Sequence, residues 1–152
     1  MPMNTTGKVR MHEKKLRILQ NILSAHGMRT QVMPVTASPF DLLVNGIARV
    51  ELKVARLLQI HNGYCEGWRF NIHRHGKLTN GTVDFFVFNI PPIDVLKMHN
   101  SISLVVPAVL LKDKYTLSIS PRALMVRWGQ YEGRWDTIKS FCDAVPSSDK
   151  GK

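Results

Sequence analysis

Asp41, Glu51 and Lys53 are the residues of this chain whose types and spacing suit chemistry. Asp41 lies in the run Phe40-Asp41-Leu42-Leu43-Val44. Glu51 and Lys53 lie in Arg49-Val50-Glu51-Leu52-Lys53, and Asn45-Gly46 falls between the two runs. Two carboxylates can hold a hard divalent cation through oxygen, and a lysine nearby can orient water or neutralise charge developing on a phosphate. Each residue also has a plainer reading. Asp41 can be a strand-edge acid hydrogen-bonded to the turn, and Glu51 with Lys53 an ion pair on a solvated sheet.

The elements that must position these side chains are two short strands. Residues 49–54 alternate, with Arg49, Glu51 and Lys53 on one side and Val50, Leu52 and Val54 on the other, which is the period of a half-buried strand. Asn-Gly between two such runs is a hairpin-turn signal. Pairing of the strands would place Asp41 beside Glu51 and Lys53.

Pro39-x-Asp41 followed by Glu51-x-Lys53 resembles the PD-(D/E)XK nuclease signature of many restriction enzymes, Holliday-junction resolvases and some intron-encoded homing endonucleases. Phe40 separates Pro39 from Asp41 where the family motif has them adjacent, and the proline carries no chemistry. The resemblance implies an α/β fold with a restriction-endonuclease-like core, a central mixed β-sheet flanked by helices. It also implies a divalent-metal-dependent DNA endonuclease of homing, restriction or junction-resolving type. In that reading Asp41 and Glu51, with the Leu52 backbone carbonyl as a further ligand, hold Mg²⁺, with Mn²⁺ as a substitute. Lys53 orients the attacking water and offsets transition-state charge. Many members of the family carry a glutamate on the first helix that reaches the metal, which makes Glu13 a candidate catalytic acid. Glu13 follows Val9 by four residues and precedes Leu16 by three, so the spacing sets it in the apolar stripe, where an unpaired carboxylate is expensive. The competing reading is an ordinary helix pair with Arg17. Cutting both strands of a duplex calls for two sites, hence a homodimer or a tetramer built from dimers.

The charge balance points to a polyanion. Among 152 residues, 21 Lys and Arg stand against 11 Asp and Glu, a net +10. Nucleic acid is the favoured partner over acidic lipid or a merely solvated basic face. Candidate DNA contacts are Lys14, Lys15, Arg56, Arg69, Asn71, His73, Arg74 and Lys77. His73-x-His75 has a zinc-compatible spacing but lacks a third ligand, so solvated or phosphate-facing histidines are the better reading. No apolar run is long enough to span a bilayer, and the N-terminus lacks a signal-peptide core. Two cysteines, Cys65 and Cys142, are too few for a disulfide scaffold and suit reduced thiols in a cytoplasmic protein. Two rival classes stand beside the nuclease: a non-catalytic nucleic-acid-binding module of the same fold, and an interaction protein basic for solubility.

Residues 1–145 read as one domain and 146–152 as a disordered tail. A helix is expected over 8–26, stopped by Gly27, and strands over 31–35, 40–44, 49–55, 68–75, 83–90, 104–111 and 115–119. An exposed loop is expected over 59–67, and a short amphipathic helix through Trp135, Ile138 and Phe141 or Cys142. The run 83–90 is apolar on both faces except at Asp84, as in a central strand. Trp128, Tyr131 and Trp135 suit either a core or a base-stacking surface, with core favoured.

Overall fold

The computed structural model describes residues 5–34, 40–57, 60–61, 64–65, 67–72, 82–92, 100–112 and 114–145. Pro39, His73, Arg74, His75, Lys77 and the expected tail lie outside them. The chain begins with helix α1 (Thr5–Ala25), whose buried stripe is Leu16, Leu19 and Leu23. Strands β1 (Thr30–Val32), β2 (Leu42–Val44) and β3 (Ala48–Val54) follow. Then come the short strands β4 (Arg56–Leu57), β5 (Ile60–His61) and β6 (Tyr64–Cys65), and β7 (Trp68–Asn71). The remainder holds β8 (Phe85–Ile90), β9 (Ile102–Pro107), β10 (Thr116–Ile119), the helical turn α2 (Pro121–Ala123) running into a π turn (Leu124–Trp128), and helix α3 (Trp135–Ala144).

The fold is α/β with a central mixed sheet in the order β1-β2-β3-β8-β9. β3 and β8 run parallel and the other neighbours antiparallel. Helices α1 and α3 cover one face, where Leu19, Leu23, Trp135 and Ile138 join Val44, Val50, Leu52 and Val87 in one apolar cluster. The other face, with Phe86, Phe88, Leu104 and Val106, meets a second sheet of order β10-β7-β4 and the segment from Leu124 to Trp128. The Phe70 and Phe88 rings, 4.6 Å apart, join the two sheets. β8 is therefore covered on both sides, as its doubly apolar sequence predicts. Trp128 and Trp135 are core residues.

Two local devices set the register of β3. At Asn45-Gly46 both residues have positive φ (53° and 70°) and Ile47 N–H closes the turn on Val44, the backbone that Asn-Gly favours, while Val44 pairs with Ala48 and leaves Ile47 as a third connecting residue. Asn45 also exchanges hydrogen bonds with Arg29 through its backbone and side chain, tying β1 to the same turn. On the other side of β3, the Arg49 guanidinium makes a two-point ion pair with Asp84 at 3.0 and 3.1 Å. Asp84 further accepts the Arg49 backbone N–H, which fixes how β8 enters beside β3.

Two expectations are corrected. Residues 104–111 are not one strand: β9 ends at Pro107, which lacks an N–H for the ladder, and a 3₁₀ turn buries Ala108 and Leu111 while exposing Val109 and Leu110. Residues 59–67 are not all loop, since β5 and β6 pair with Ile60 across from Cys65 and His61 across from Tyr64. Asn62 and Gly63, between them, lie outside the described residues. Among the described residues no helix is long and apolar enough to cross a membrane.

Gly67 holds the second sheet together by its lack of a side chain. Its φ is +138°, and a Cβ there would lie 2.3 Å from the Ile119 carbonyl oxygen. Gly67→Ala is expected to cost about 3 kcal/mol or more, lowering the thermal midpoint by roughly 6–12 °C. Gly46→Ala, where nothing lies within 4 Å of the added Cβ, should cost only about 1 kcal/mol. Paired melting curves check this; equal losses would show that the approach to Ile119 is not what fixes position 67.

Candidate functional site

The β2–β3 hairpin brings the acids together. Leu42 pairs with Val50, so continuing the register by one residue sets Asp41 across from Glu51. The ladder changes at this point: Asp41 N–H still donates to the Val50 carbonyl, but Leu52 N–H donates to Asp41 Oδ2 at 2.8 Å. A side-chain oxygen thus takes the place of a strand carbonyl, and the Asp41 carboxylate is pinned where β2 begins to leave β3. Asp41 is 8% exposed and Glu51 3%, the two buried charged residues of the described core. Lys53 Nζ lies 3.7 Å from Glu51 Oε1, with its side chain 17% exposed. The solvated-sheet reading of Glu51 and Lys53 therefore does not hold; their pair is largely out of water.

Helix α1 contributes a residue that the motif did not single out. His12 Nε2 lies 3.6 Å from Asp41 Oδ2. The imidazole holds its proton above the ordinary histidine range. The close approach of the Asp41 carboxylate is the main cause, helped by the Leu52 backbone and Glu51, and opposed by burial. Glu13 does not occupy the buried stripe as expected; it is exposed. The helical period explains the difference. Counting back from Leu23, Leu19 and Leu16, the next position on that face is 12, not 13. The signal was in the sequence, since His12 lies three residues after Val9 and four before Leu16.

The donor set is hard oxygen: two carboxylates on facing positions of adjacent strands, with the Leu52 backbone between Glu51 and Lys53. Among the described residues no three His, Cys, Asp or Glu side chains close on one point. Such a set fits Mg²⁺, which binds through one or two carboxylates and keeps several waters, better than a closed zinc site.

The basic candidates fall into two groups. Lys14 is exposed on α1, and Lys15 is half-buried there, lining a small cleft with Leu52, Asn89 and Ser103. Arg69 and Asn71 are exposed on β7, and Arg56 in β4 pairs directly with Arg69. Lys15 thus shares a cleft with Leu52, while β4 begins almost where the strand of Lys53 ends.

No protein-family model and no curated protein sequence matches the chain. Its fold is similar to that of a solved structure, the bacterial homing endonuclease I-Ssp6803I. The TM-score is 0.60 and the identity 16%, over 93% of this chain and 96% of that one. The central mixed sheet with its helices is therefore an architecture that the two chains share.

Proposed function

We propose that this protein is a Mg²⁺-dependent DNA endonuclease of PD-(D/E)XK type that hydrolyses phosphodiester bonds, in homing, restriction or junction resolution. The observation that carries the reading is the nearly dry constellation of Asp41, Glu51 and Lys53 at the β2–β3 junction. The shared fold with a homing endonuclease and the net charge of +10 support it. The partner is DNA, and the working form a homodimer or a tetramer of dimers in the cytoplasm.

Asp41 and Glu51 would hold Mg²⁺, with Mn²⁺ as a substitute, and the ion would supply Lewis-acid stabilisation of the scissile phosphate. The protein's own groups do the rest. The Leu52 N–H and His12 fix the Asp41 carboxylate in place, so little reorganisation is needed when the substrate arrives. Lys53, held beside Glu51, points an ammonium with three donors into the same space, where it orients the attacking water and offsets charge on the phosphorane-like transition state. Partial burial strengthens that interaction relative to water.

Purified protein is expected to cleave duplex DNA with Mg²⁺ or Mn²⁺ and to be silent in EDTA. Lys53→Ala should lower the cleavage rate about a hundredfold or more, since removing one preorganised donor to a transition state costs that much. DNA affinity should stay within about twofold, because one lysine is a small part of the phosphate footprint. A single-turnover rate within about tenfold of wild type would remove Lys53 from the assigned role. DNA binding without any metal-dependent cleavage would point instead to the non-catalytic module.

The part played by α1 is decided by two substitutions measured together. His12→Ala should lower the rate about tenfold or more, through loss of the group that holds Asp41, while Glu13→Gln should leave the rate within about twofold and the thermal midpoint nearly unchanged. A rate loss confined to Glu13→Gln and relieved by higher Mn²⁺ would restore the glutamate to the site.

A further inference from the structure

The outer face of the second sheet carries side chains that neither the core nor the candidate active site uses. β7 and β10 pair antiparallel, with Asn71 across from Thr116 and Arg69 across from Ser118, and β4 sets Arg56 across from Arg69. The inner residues Trp68, Phe70, Leu117 and Ile119 are buried in the core, while Arg69, Asn71, Thr116 and Ser118 are exposed. None of the residues in these three strands is acidic, and exposed Lys114 and Tyr115 lead into the Thr116 end. A solvated sheet face ordinarily mixes charge signs, because like charges at paired positions destabilise the ladder. Arg69 is exposed among uncharged polar neighbours with no acid among the described residues of these strands, which suits an anionic partner.

The uncharged side chains say which kind of anion. Arg, Asn, Ser and Thr are the side chains that hydrogen-bond base edges: Arg to guanine, Asn to adenine, the hydroxyls to either. An antiparallel ribbon of two strands fits the major groove of B-form DNA. Residues two apart on one strand face stand about 7 Å apart, close to two base steps of 3.4 Å, so Arg69 and Asn71 reach positions about two base pairs apart. With the inner face locked into the core, the ribbon needs little ordering on binding. β4 begins three residues after Lys53, at most about 11 Å along an extended chain, so one duplex can meet both surfaces.

We propose that the outer face of β7 and β10 enters the major groove of a DNA duplex and reads base edges, with Arg69 and Asn71 as specificity-determining residues and Thr116 and Ser118 in support. The proposal rests on the endonuclease reading for its DNA partner, but not on catalysis.

The test is selection of bound sequences from a randomised duplex library in EDTA, with Mg²⁺-dependent cleavage of the selected duplex as a separate arm. Wild type should enrich a defined sequence. Arg69→Lys, which keeps the charge and loses the two-pronged donor, should lose about tenfold or more of its preference at one or two adjacent base pairs. Its affinity for an unselected duplex should stay within about twofold. Asn71→Ala should relax a position about two base pairs away. An unchanged enriched sequence in both variants, or no enriched sequence with wild type, overturns the proposal. Uniformly weaker binding without a change of preference also overturns it, assigning these residues to phosphate. An enriched sequence that is altered by the variants but never cleaved by wild type supports the base-reading face and sinks the nuclease reading alone.

Discussion

Two carboxylates on facing residues, both nearly withdrawn from water, impose the constraint around which this molecule is arranged. Asp41 and Glu51 repel one another, and burial raises the cost of each charge. The neighbouring groups visible around them offset that cost: the Leu52 N–H on Asp41, His12 from α1, and Lys53 beside Glu51. None of these can be supplied from one element. The hairpin provides the facing positions, β3 supplies the lysine, and α1 must lie across the sheet close enough to lower His12 onto Asp41. The helix is held there by Leu16, Leu19 and Leu23 packed on Val50, Leu52 and Val87. Core packing and the candidate site are thus one arrangement seen from two ends of the same helix.

A one-residue slip of β3 shows how tightly the parts are linked. Because successive side chains alternate, a slip would turn Arg49, Glu51 and Lys53 toward the apolar surface of α1 and bring Val50 and Leu52 out of it. The Asn45-Gly46 turn resists this from one side, and the Arg49–Asp84 pair from the other. The ion pair lies at the opposite end of β3 from Lys53, well separated from the Glu51–Lys53 pair of the candidate site.

Much of this was legible in residues 39–54. The alternation of β3 and the Asn-Gly turn are strong local signals for the hairpin, but a strict two-residue turn would set Asp41 across from Val50; the third connecting residue, Ile47, moves it to Glu51. The doubly apolar run of β8 and the alternation of Trp68 to Asn71 were equally clear, since burial pattern and strand period agree there. The less legible features depend on tertiary context. The helical phase that turns His12 inward and Glu13 outward depends on which leucines are buried most deeply, and Val9 alone did not settle it. The 3₁₀ turn after Pro107 looks like strand in an apolar run, because a three-residue helical period is hidden in four consecutive apolar residues. The second sheet draws β10 from far along the chain to pair with β7, a long-range contact that no local pattern encodes.

The Asn45-Gly46 turn has a consequence for the order in which the molecule assembles. It joins β2 to β3 through only three residues, 45–47, so the pairing that brings Asp41 to Glu51 is among the most local contacts of the chain. The parallel partner β8 is reached only after the whole stretch from Ala55 to Asp84 has been laid down, and closing so long a loop is slow by comparison. The pairing of the two acids thus rests on a local contact, while the partners that bury the hairpin, β8 and α1, are more distant along the chain.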